Sequence, residues 1–255
     1  SVIVPVTVLG MIVMACGGDP GPGGRRSSVD LTGAGATFPY PIYSRWFSDY
    51  ARETGVRINY GSLGSGAGIR QVSEQTVDFG ATDSPMSDAE LADVKGGALL
   101  HIPTVVGAVV VTYNLPSITQ PLKLSGDAIA GIFLGTITKW NDPAIASINP
   151  DVQMPADDIL VVHRTDGSGT TYIFSDFLTS ANQAWANGPG KGKQINWPVG
   201  LGGKGNEGVA GQVKQTPGAI GYTELAYAHQ NGLPTALIGN RAGNFVAPTI
   251  ENIQA

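Results

Sequence analysis

Apolar residues recur along this chain in short runs typical of strands, each followed by a glycine-rich turn and a helical pattern. The clearest case is residues 159–162 (Ile-Leu-Val-Val), followed by residues 172–178 with apolar side chains at helical spacing. The same order of strand, turn and helix occurs at 31–50 and again at 56–72. This alternation predicts an α/β protein.

The turn that joins the strand 159–162 to its helix has the composition of an anion-binding corner. Residues 163–171 read His-Arg-Thr-Asp-Gly-Ser-Gly-Thr-Thr. The first N–H groups of a helix lack partners and the helix dipole adds partial positive charge, so an oxyanion is a natural ligand there. Arg164 adds a fork of donors, and Asp166 can hold that fork. The alternative is an ordinary capped helix, because Asp, Ser and Thr cap helices well.

Three polar residues lie at similar corners earlier in the chain. Thr37 follows the strand 31–35, and its alternative role is to cap the next helix. Ser65 lies between two glycines after the strand 56–60, in a turn that is neither a dinucleotide fingerprint nor a P-loop. Asp83 ends a short strand among small residues, where the alternative is a turn aspartate in an Asx motif.

Later segments are interpreted structurally. Residues 101–113 are apolar and are expected to form one long strand. Trp140 is interpreted as a packing residue. The glycine-rich loop 200–208 is interpreted as a plain helix entry, because no Ser or Thr follows Lys204 as a nucleotide loop would require.

Composition narrows the classes of function. The 255 residues suffice for one large domain or two modest ones. Charged residues make up 14% of the chain with a net charge of −5, and the scattered lysines and arginines form no basic patch, which argues against a nucleic-acid partner. No His, Cys and Asp cluster has metal-ligand spacing, so neither a metal nor a cofactor is predicted.

The first thirty residues indicate export. Residues 1–16 carry no charged side chain and are interpreted as a partial lipoprotein signal segment ending at Cys16, the lipidated residue. The alternative is an ordinary cleaved signal with an incidental cysteine. Residues 17–30 are rich in Gly and Pro and predict a flexible tether. We therefore expect an extracytoplasmic protein, in the periplasm or at the cell surface, anchored to the membrane by lipid.

Several motifs in one order resemble the periplasmic phosphate-binding proteins of bacterial phosphate ABC transporters, the PstS family. The motifs are GAGATFP at 33–39, GSG at 64–66, DFGATD at 78–83, WNDP at 140–143, RTDGSGT at 164–170, GGKGN at 202–206 and PGAIGY at 217–222.

This resemblance implies an α/β, two-domain periplasmic-binding-protein fold of type II, with a ligand cleft between the domains. Domain I would cover 31–108, domain II 109–242, and 243–255 would begin the return to domain I. The family's last elements would be missing after Ala255, which would leave domain I truncated.

The resemblance also implies the ligand set and its role. Phosphate would be bound by Thr37, Phe38, Ser65, Asp83, Arg164, Ser168, Gly169 and Thr170. Asp83 would accept the proton of the phosphate, Asp166 would support Arg164, and the loop 200–208 would lie near the cleft. The chain would then be a monomeric receptor, not an enzyme, that delivers phosphate to an ABC permease and its ATPase subunit.

Two other classes remain open at this stage. An enzyme such as a phosphatase or serine hydrolase could use the same oxyanion donors, although residues 166–169 lack the Gly-x-Ser-x-Gly elbow. A receptor for another oxyanion, such as sulfate, molybdate or tungstate, is the second alternative. Asp83 argues for a protonated ligand, because an ionised carboxylate accepts a proton from phosphate and repels sulfate.

Overall fold

The computed structural model describes residues 30–254 of the chain. Its strands are β1 Asp30–Gly35, β2 Arg57–Ser62, β3 Phe79–Ala81, β4 Val109–Tyr113, β5 Lys123–Leu124, β6 Leu160–Arg164, β7 Leu201–Gly203, β8 Ala219–Glu224, β9 Leu237–Gly239 and β10 Phe245–Val246. Its helices are α1 Tyr40–Thr54, α2 Ser65–Ser73, α3 Asp88–Ala92, α4 Gly126–Leu134, α5 Pro143–Ala146, α6 Gly169–Ala181, α7 Gln183–Asn187, α8 Gly205–Gln215, α9 Leu225–Asn231 and α10 Ile250–Gln254. The three predicted strand–turn–helix corners are therefore confirmed.

The strands form separate sheets. In the first sheet β1 lies between β2 and β3, and all three are parallel. The second sheet has the order β4-β8-β6-β7, in which β4 is antiparallel to β8 and the other pairs are parallel. A small third sheet joins β5, β9 and β10. The parallel strands are connected through helices, as parallel pairing requires.

The main hydrophobic core lies around the second sheet and helices α4 and α6. Phe133 of α4 is fully buried and packs edge-on against Phe174 of α6, with ring centroids 4.9 Å apart. Phe174 stacks on Tyr222 of β8 at 4.2 Å. Trp140 is also fully buried and donates its indole N–H to the carbonyl of Gly218 at 3.0 Å, so the packing role predicted for it is confirmed.

The first sheet is covered on one face by aromatic rings rather than by a large aliphatic core. Tyr43 and Phe47 of α1 contact each other at 5.1 Å, and Tyr43 meets Tyr60 edge-on at 5.5 Å. Tyr60 stacks on Phe79 at 6.1 Å. The Phe79 ring lies directly over Gly33, where any side chain would collide with it.

The prediction of one strand over residues 101–113 is wrong in its length. Strand β4 begins at Val109, and residues 101–107 belong to no strand. A β-strand needs a neighbour for its backbone groups. Here the segment is held by single contacts instead, such as the Tyr43 hydroxyl with that of Thr104 at 2.7 Å and the Met86 N–H with His101 Nε2 at 3.2 Å.

The predicted signal segment, Cys16 and residues 17–29 of the predicted tether lie outside the described residues. The prediction that the tether extends to residue 30 is wrong, because Asp30 begins β1 and pairs with Arg57 of β2. Within residues 30–254 every helix is too short or too polar to cross a membrane.

We expect Phe133→Ala to lower the free energy of unfolding by about 3–5 kcal/mol, because it removes a fully buried ring from the centre of the core. Urea denaturation followed by circular dichroism measures this change. The matched control is Leu100→Ala, whose side chain is 84% exposed and whose loss should change stability by less than about 0.5 kcal/mol. Equal effects of the two substitutions would contradict the assignment of the core.

Candidate functional site

The carboxyl ends of parallel strands from both main sheets point to one place. Strand β1 leads to Thr37, β2 to Ser65 and β3 to Asp83, while β6 leads to Ser168 and β7 to Asn206. In open α/β sheets ligands bind at the carboxyl ends of strands. The strand ends of the two sheets therefore face a common site of the kind at which ligands bind.

Glycines let the turns from the two sheets touch through their backbones. The Gly66 N–H donates to the Gly167 carbonyl at 2.8 Å, and the Gly169 N–H donates to Ser65 Oγ at 3.0 Å. A methyl group on Gly169 would lie 2.6 Å from Cβ of Asp83 and 2.7 Å from Ser65 Oγ. The approach is therefore closed to any residue with a side chain.

Buried hydroxyls surround the carboxylate of Asp83. The Thr170 hydroxyl donates to Asp83 Oδ2 at 3.3 Å, and the Asp83 N–H donates to Ser65 Oγ at 3.3 Å. Thr37 Oγ1 accepts from the Asn206 side chain at 2.7 Å, and Asn206 also reaches Thr170 Oγ1 at 3.3 Å. The structure thus brings Thr37, Ser65, Asp83 and Thr170 into one hydrogen-bonded cluster.

Arg164 is 3% exposed and is fixed on one side by Asp166. Its Nε donates to Asp166 Oδ1 at 2.8 Å and its Nη2 to Oδ2 at 2.5 Å. Asp166 is further held by the Gly205 N–H at 3.0 Å. The remaining guanidinium nitrogen, Nη1, is buried and has no hydrogen-bond partner among the described residues. The fork is therefore rigid and keeps one nitrogen, with its two N–H groups, free.

Burial raises the pKa of Asp83 to about 6, although the nearby Arg164 guanidinium and the Thr170 hydroxyl act in the opposite direction. Loss of solvation is the larger effect because it disfavours the charged form. Glu224 is also buried close by, and burial raises its pKa to about 7. Its Oε2 caps α9 by accepting the Ala226 N–H at 2.8 Å. Asp83 is mostly ionised at neutral pH and can act as a hydrogen-bond acceptor.

The alternative role as a helix cap is wrong for Thr37 and right for Ser168. Thr37 does not cap α1, because Pro39 occupies the cap position without a side-chain bond. Ser168 does cap α6, since its Oγ accepts from the Thr171 N–H at 3.0 Å. Its hydroxyl hydrogen can still donate elsewhere. Phe38 is half-buried, with its ring against Gly107.

Sequence reasoning missed the central place of Asn206 and the role of two tyrosines. The loop 200–208, which the sequence predicts to be a plain helix entry, places fully buried Asn206 between Thr37 and Thr170. The signal was present, because β7, this loop and α8 repeat the order of strand, glycine turn and helix. Tyr222 and Tyr227 also contact residues of the site, and neither lies in a turn of this kind. Tyr227 donates its hydroxyl to the Thr37 carbonyl at 2.6 Å.

An ion pair links the surroundings of the two groups of turns. Lys193 Nζ donates to both carboxylate oxygens of Glu90, at 2.7 and 2.9 Å. Glu90 belongs to a capping box with Ser87 at the start of α3. The Lys193 carbonyl accepts from the Ser168 N–H at 2.9 Å. One residue therefore contacts both α3 and the turn before α6.

Comparisons with known proteins show the family of this chain. A family model described as a PBP superfamily domain matches residues 20–255. The phosphate-binding protein PstS of Haemophilus influenzae is 49% identical over 226 residues, which are 88% of this chain and 67% of that protein. This chain belongs to the PstS phosphate-binding protein family.

Other PstS relatives show the extent of the match. The PstS protein of Pasteurella multocida is 50% identical and is matched over 88% of this chain and 65% of its own length. That of Methanocaldococcus jannaschii is 41% identical, over 99% of this chain and 68% of its own length. The chain therefore spans about two thirds of the length of these curated PstS relatives.

Solved structures similar to this PstS-family chain share its fold. A high-affinity periplasmic phosphate-binding protein bound with phosphate has a TM-score of 0.66 at 21% identity, over 88% of this chain and 66% of that one. An ABC-type phosphate transport receptor from Vibrio cholerae has a TM-score of 0.57 at 19% identity, over 87% and 80%. The α/β periplasmic-binding-protein fold expected from the sequence is confirmed.

We expect Gly169→Ala to lower the free energy of unfolding by about 1–3 kcal/mol, because the added methyl collides with Asp83 and Ser65. The loss should appear although alanine is the better helix former by about 0.5–1 kcal/mol. Gly211→Ala in α8 is the matched control: a methyl there meets nothing within 4 Å, so stability should rise slightly. Denaturant titration measures both, and a gain for Gly169→Ala would disprove the close approach.

We also expect the stability of the protein to depend on pH through Asp83. The pKa of Asp83 is about 6 in the folded protein, against an ordinary value of 3.8. The protonated acid therefore makes its full contribution to stability below pH 3.8, and this contribution is lost as the pH rises through about 6. Asp83→Asn keeps the group neutral. We expect this variant of the phosphate-free protein to be more stable than the parent at pH 7.5, by up to about 3 kcal/mol, and equal to it at pH 3.

Thermal unfolding at the two pH values measures the difference, with Asp151→Asn, an exposed aspartate, as the control. A loss of stability for Asp83→Asn at pH 7.5 would mean that the hydrogen bonds of the carboxylate outweigh its desolvation.

Proposed function

We propose that this chain is an extracytoplasmic receptor that binds inorganic phosphate at the cluster of Thr37, Ser65, Asp83, Arg164 and Thr170. The ligands would be completed by Phe38, Ser168 and Gly169 at the same turns. The receptor would deliver phosphate to an ABC permease and its ATPase subunit. The names of the PstS relatives support this proposal.

The free guanidinium nitrogen of Arg164 carries the proposal. A buried donor without a partner costs about 1–3 kcal/mol or more, because it has lost its water. Arg164 Nη1 is such a donor, while Asp166 fixes the rest of the group. An oxygen of a tetrahedral anion would supply the missing acceptor. Arginine suits phosphate oxygens because its donors form a planar fork.

Asp83 would give the site its selectivity. Phosphate near neutral pH still carries at least one proton, and an ionised carboxylate can accept it in a charged hydrogen bond worth about 1.5–3 kcal/mol. Sulfate offers only lone pairs, and like-charge repulsion adds several kcal/mol against it. Since about 1.4 kcal/mol is tenfold in affinity, roughly three decades of discrimination are within reach of one carboxylate.

The proposal includes no chemistry on the ligand. The hydroxyls of the cluster accept from N–H groups or donate to Asp83, and no histidine lies against them in the described bonds. Within residues 30–254 no three His, Cys, Asp or Glu side chains group in a way that could hold a metal ion. The net charge of −5 does not oppose an anionic ligand, because local donors set the field in the site.

The proposed cellular setting rests on the sequence and the relatives. We infer that the chain works outside the cytoplasm as a monomer, with Cys16 as its lipid anchor and residues 17–29 as the tether. Domain I would span 31–108 and domain II 109–242, with the first sheet in one and the second in the other. Palmitate labelling of the parent and of Cys16→Ser tests the anchor.

We expect Asp83→Asn to narrow the preference for phosphate over sulfate by at least tenfold, because an amide no longer repels a fully ionised anion. Isothermal titration of both anions at pH 7.5 measures the two affinities. Asp151→Asn serves as the control and should keep the ratio of the parent. An unchanged ratio in Asp83→Asn would remove Asp83 from selectivity.

A turnover assay on the same samples separates receptor from enzyme. Phosphate release from a generic phosphate ester would favour the enzyme. Binding without release supports the receptor.

A further inference from the structure

The Asn206 side chain lies at the centre of the cluster and is 0% exposed. Its orientation is fixed, because Oδ1 accepts the Glu224 N–H at 2.9 Å and only an oxygen can do so. The amide nitrogen must then face the other way. There Nδ2 donates to Thr37 Oγ1 at 2.7 Å and to Thr170 Oγ1 at 3.3 Å.

Counting hydrogen-bond partners at Thr37 shows what this orientation does. A hydroxyl oxygen has two lone pairs and one hydrogen. Thr37 Oγ1 accepts from the Asn206 side chain at 2.7 Å and from the Asn206 backbone N–H at 3.2 Å. Both partners are donors only, so both lone pairs are occupied. The one function left to the Thr37 hydroxyl is to donate its hydrogen.

We propose that Asn206 is a positioning residue that makes the Thr37 hydroxyl an obligatory donor toward an unprotonated oxygen of the bound anion. This inference rests on the proposed phosphate-binding function, and it adds a residue that acts on the ligand through Thr37 and not by a contact of its own. Asn206 also donates to Thr170, whose own hydrogen points to Asp83 Oδ2. The Thr170 hydrogen is thus already taken by Asp83, and the Thr37 hydroxyl is the one whose direction depends on Asn206.

Ser65 shows the same arrangement with different partners. Its Oγ accepts the Gly169 N–H at 3.0 Å and the Asp83 N–H at 3.3 Å, so its lone pairs are filled as well. Two hydroxyls of the cluster are thus fixed as donors, while the Asp83 carboxylate can only accept when ionised. The pattern suits a tetrahedral oxyanion that keeps one proton. Its protonated oxygen meets Asp83, and its bare oxygens meet Thr37 and Ser65.

A double-substitution cycle tests this role. Asn206→Leu removes the amide without adding charge, and Thr37→Val removes the hydroxyl while keeping the shape. We expect Asn206→Leu alone to weaken phosphate binding by tenfold or more, and to weaken it by less than threefold in the Thr37→Val background. Isothermal titration with inorganic phosphate measures all four proteins.

The matched control is Asn149→Leu. Asn149 is another buried asparagine, 4% exposed, whose side chain bonds the backbone of Lys123 and Ile145 far from the cluster. Both substitutions are expected to lower the melting temperature, and only Asn206→Leu should change the affinity for phosphate. Circular dichroism and thermal melting confirm that each variant is folded before it is titrated.

The outcomes separate this inference from the proposed function. If Asn206→Leu costs the same factor with and without the Thr37 hydroxyl, or leaves the affinity unchanged, the positioning role is overturned while phosphate binding stands. If the parent protein binds no phosphate, the proposed function itself fails. Recovery of tight binding in Asn206→Gln, which restores an amide donor, would further support the role.

Discussion

The close contact between the turns before α2 and α6 determines the form of the site. It depends on backbone atoms approaching to hydrogen-bond distance, as between Gly66 and Gly167, and a side chain at Gly64 or Gly169 would collide with the facing turn. Once the turns meet, the strand ends of both main sheets lie around one point. Hydroxyls and N–H groups are then held by the backbone, which gives them fixed positions at little further cost in side-chain entropy.

The electrostatics of the site follow from this enclosure. Asp83 loses solvation and its pKa rises to about 6, while Arg164 keeps a buried charge because Asp166 neutralises it from one side. Asp166 therefore lets a guanidinium stay in a buried position without filling all of its donors. The result is a small volume that contains one strong donor, two directed hydroxyls and one acceptor.

Much of the fold and most of the cluster could be predicted from the sequence, and the reasons differ by residue. The strand, turn and helix pattern located Thr37, Ser65 and Arg164, because local periodicity fixes which residues follow a strand. The same pattern marks the turn that contains Asn206, but the bond from Asn206 to Thr37 joins residues 169 positions apart, and no local pattern shows which two turns will meet. The length predicted for strand β4 is too great for a related reason. Apolar residues do not reveal whether a neighbouring strand exists for the backbone to pair with.

The Glu90–Lys193 pair has a consequence beyond the anion itself. Both side chains are only partly buried, so dissolved ions screen their attraction more strongly than they screen the enclosed Arg164–Asp166 pair. The Glu90–Lys193 contact, which connects α3 to the turn at Ser168, is therefore weaker at high ionic strength than at low ionic strength. The same screening acts on the more exposed ion pairs of the described residues, such as Lys139–Asp158, but only the Glu90–Lys193 pair connects α3 to the residue that bonds the Ser168 turn.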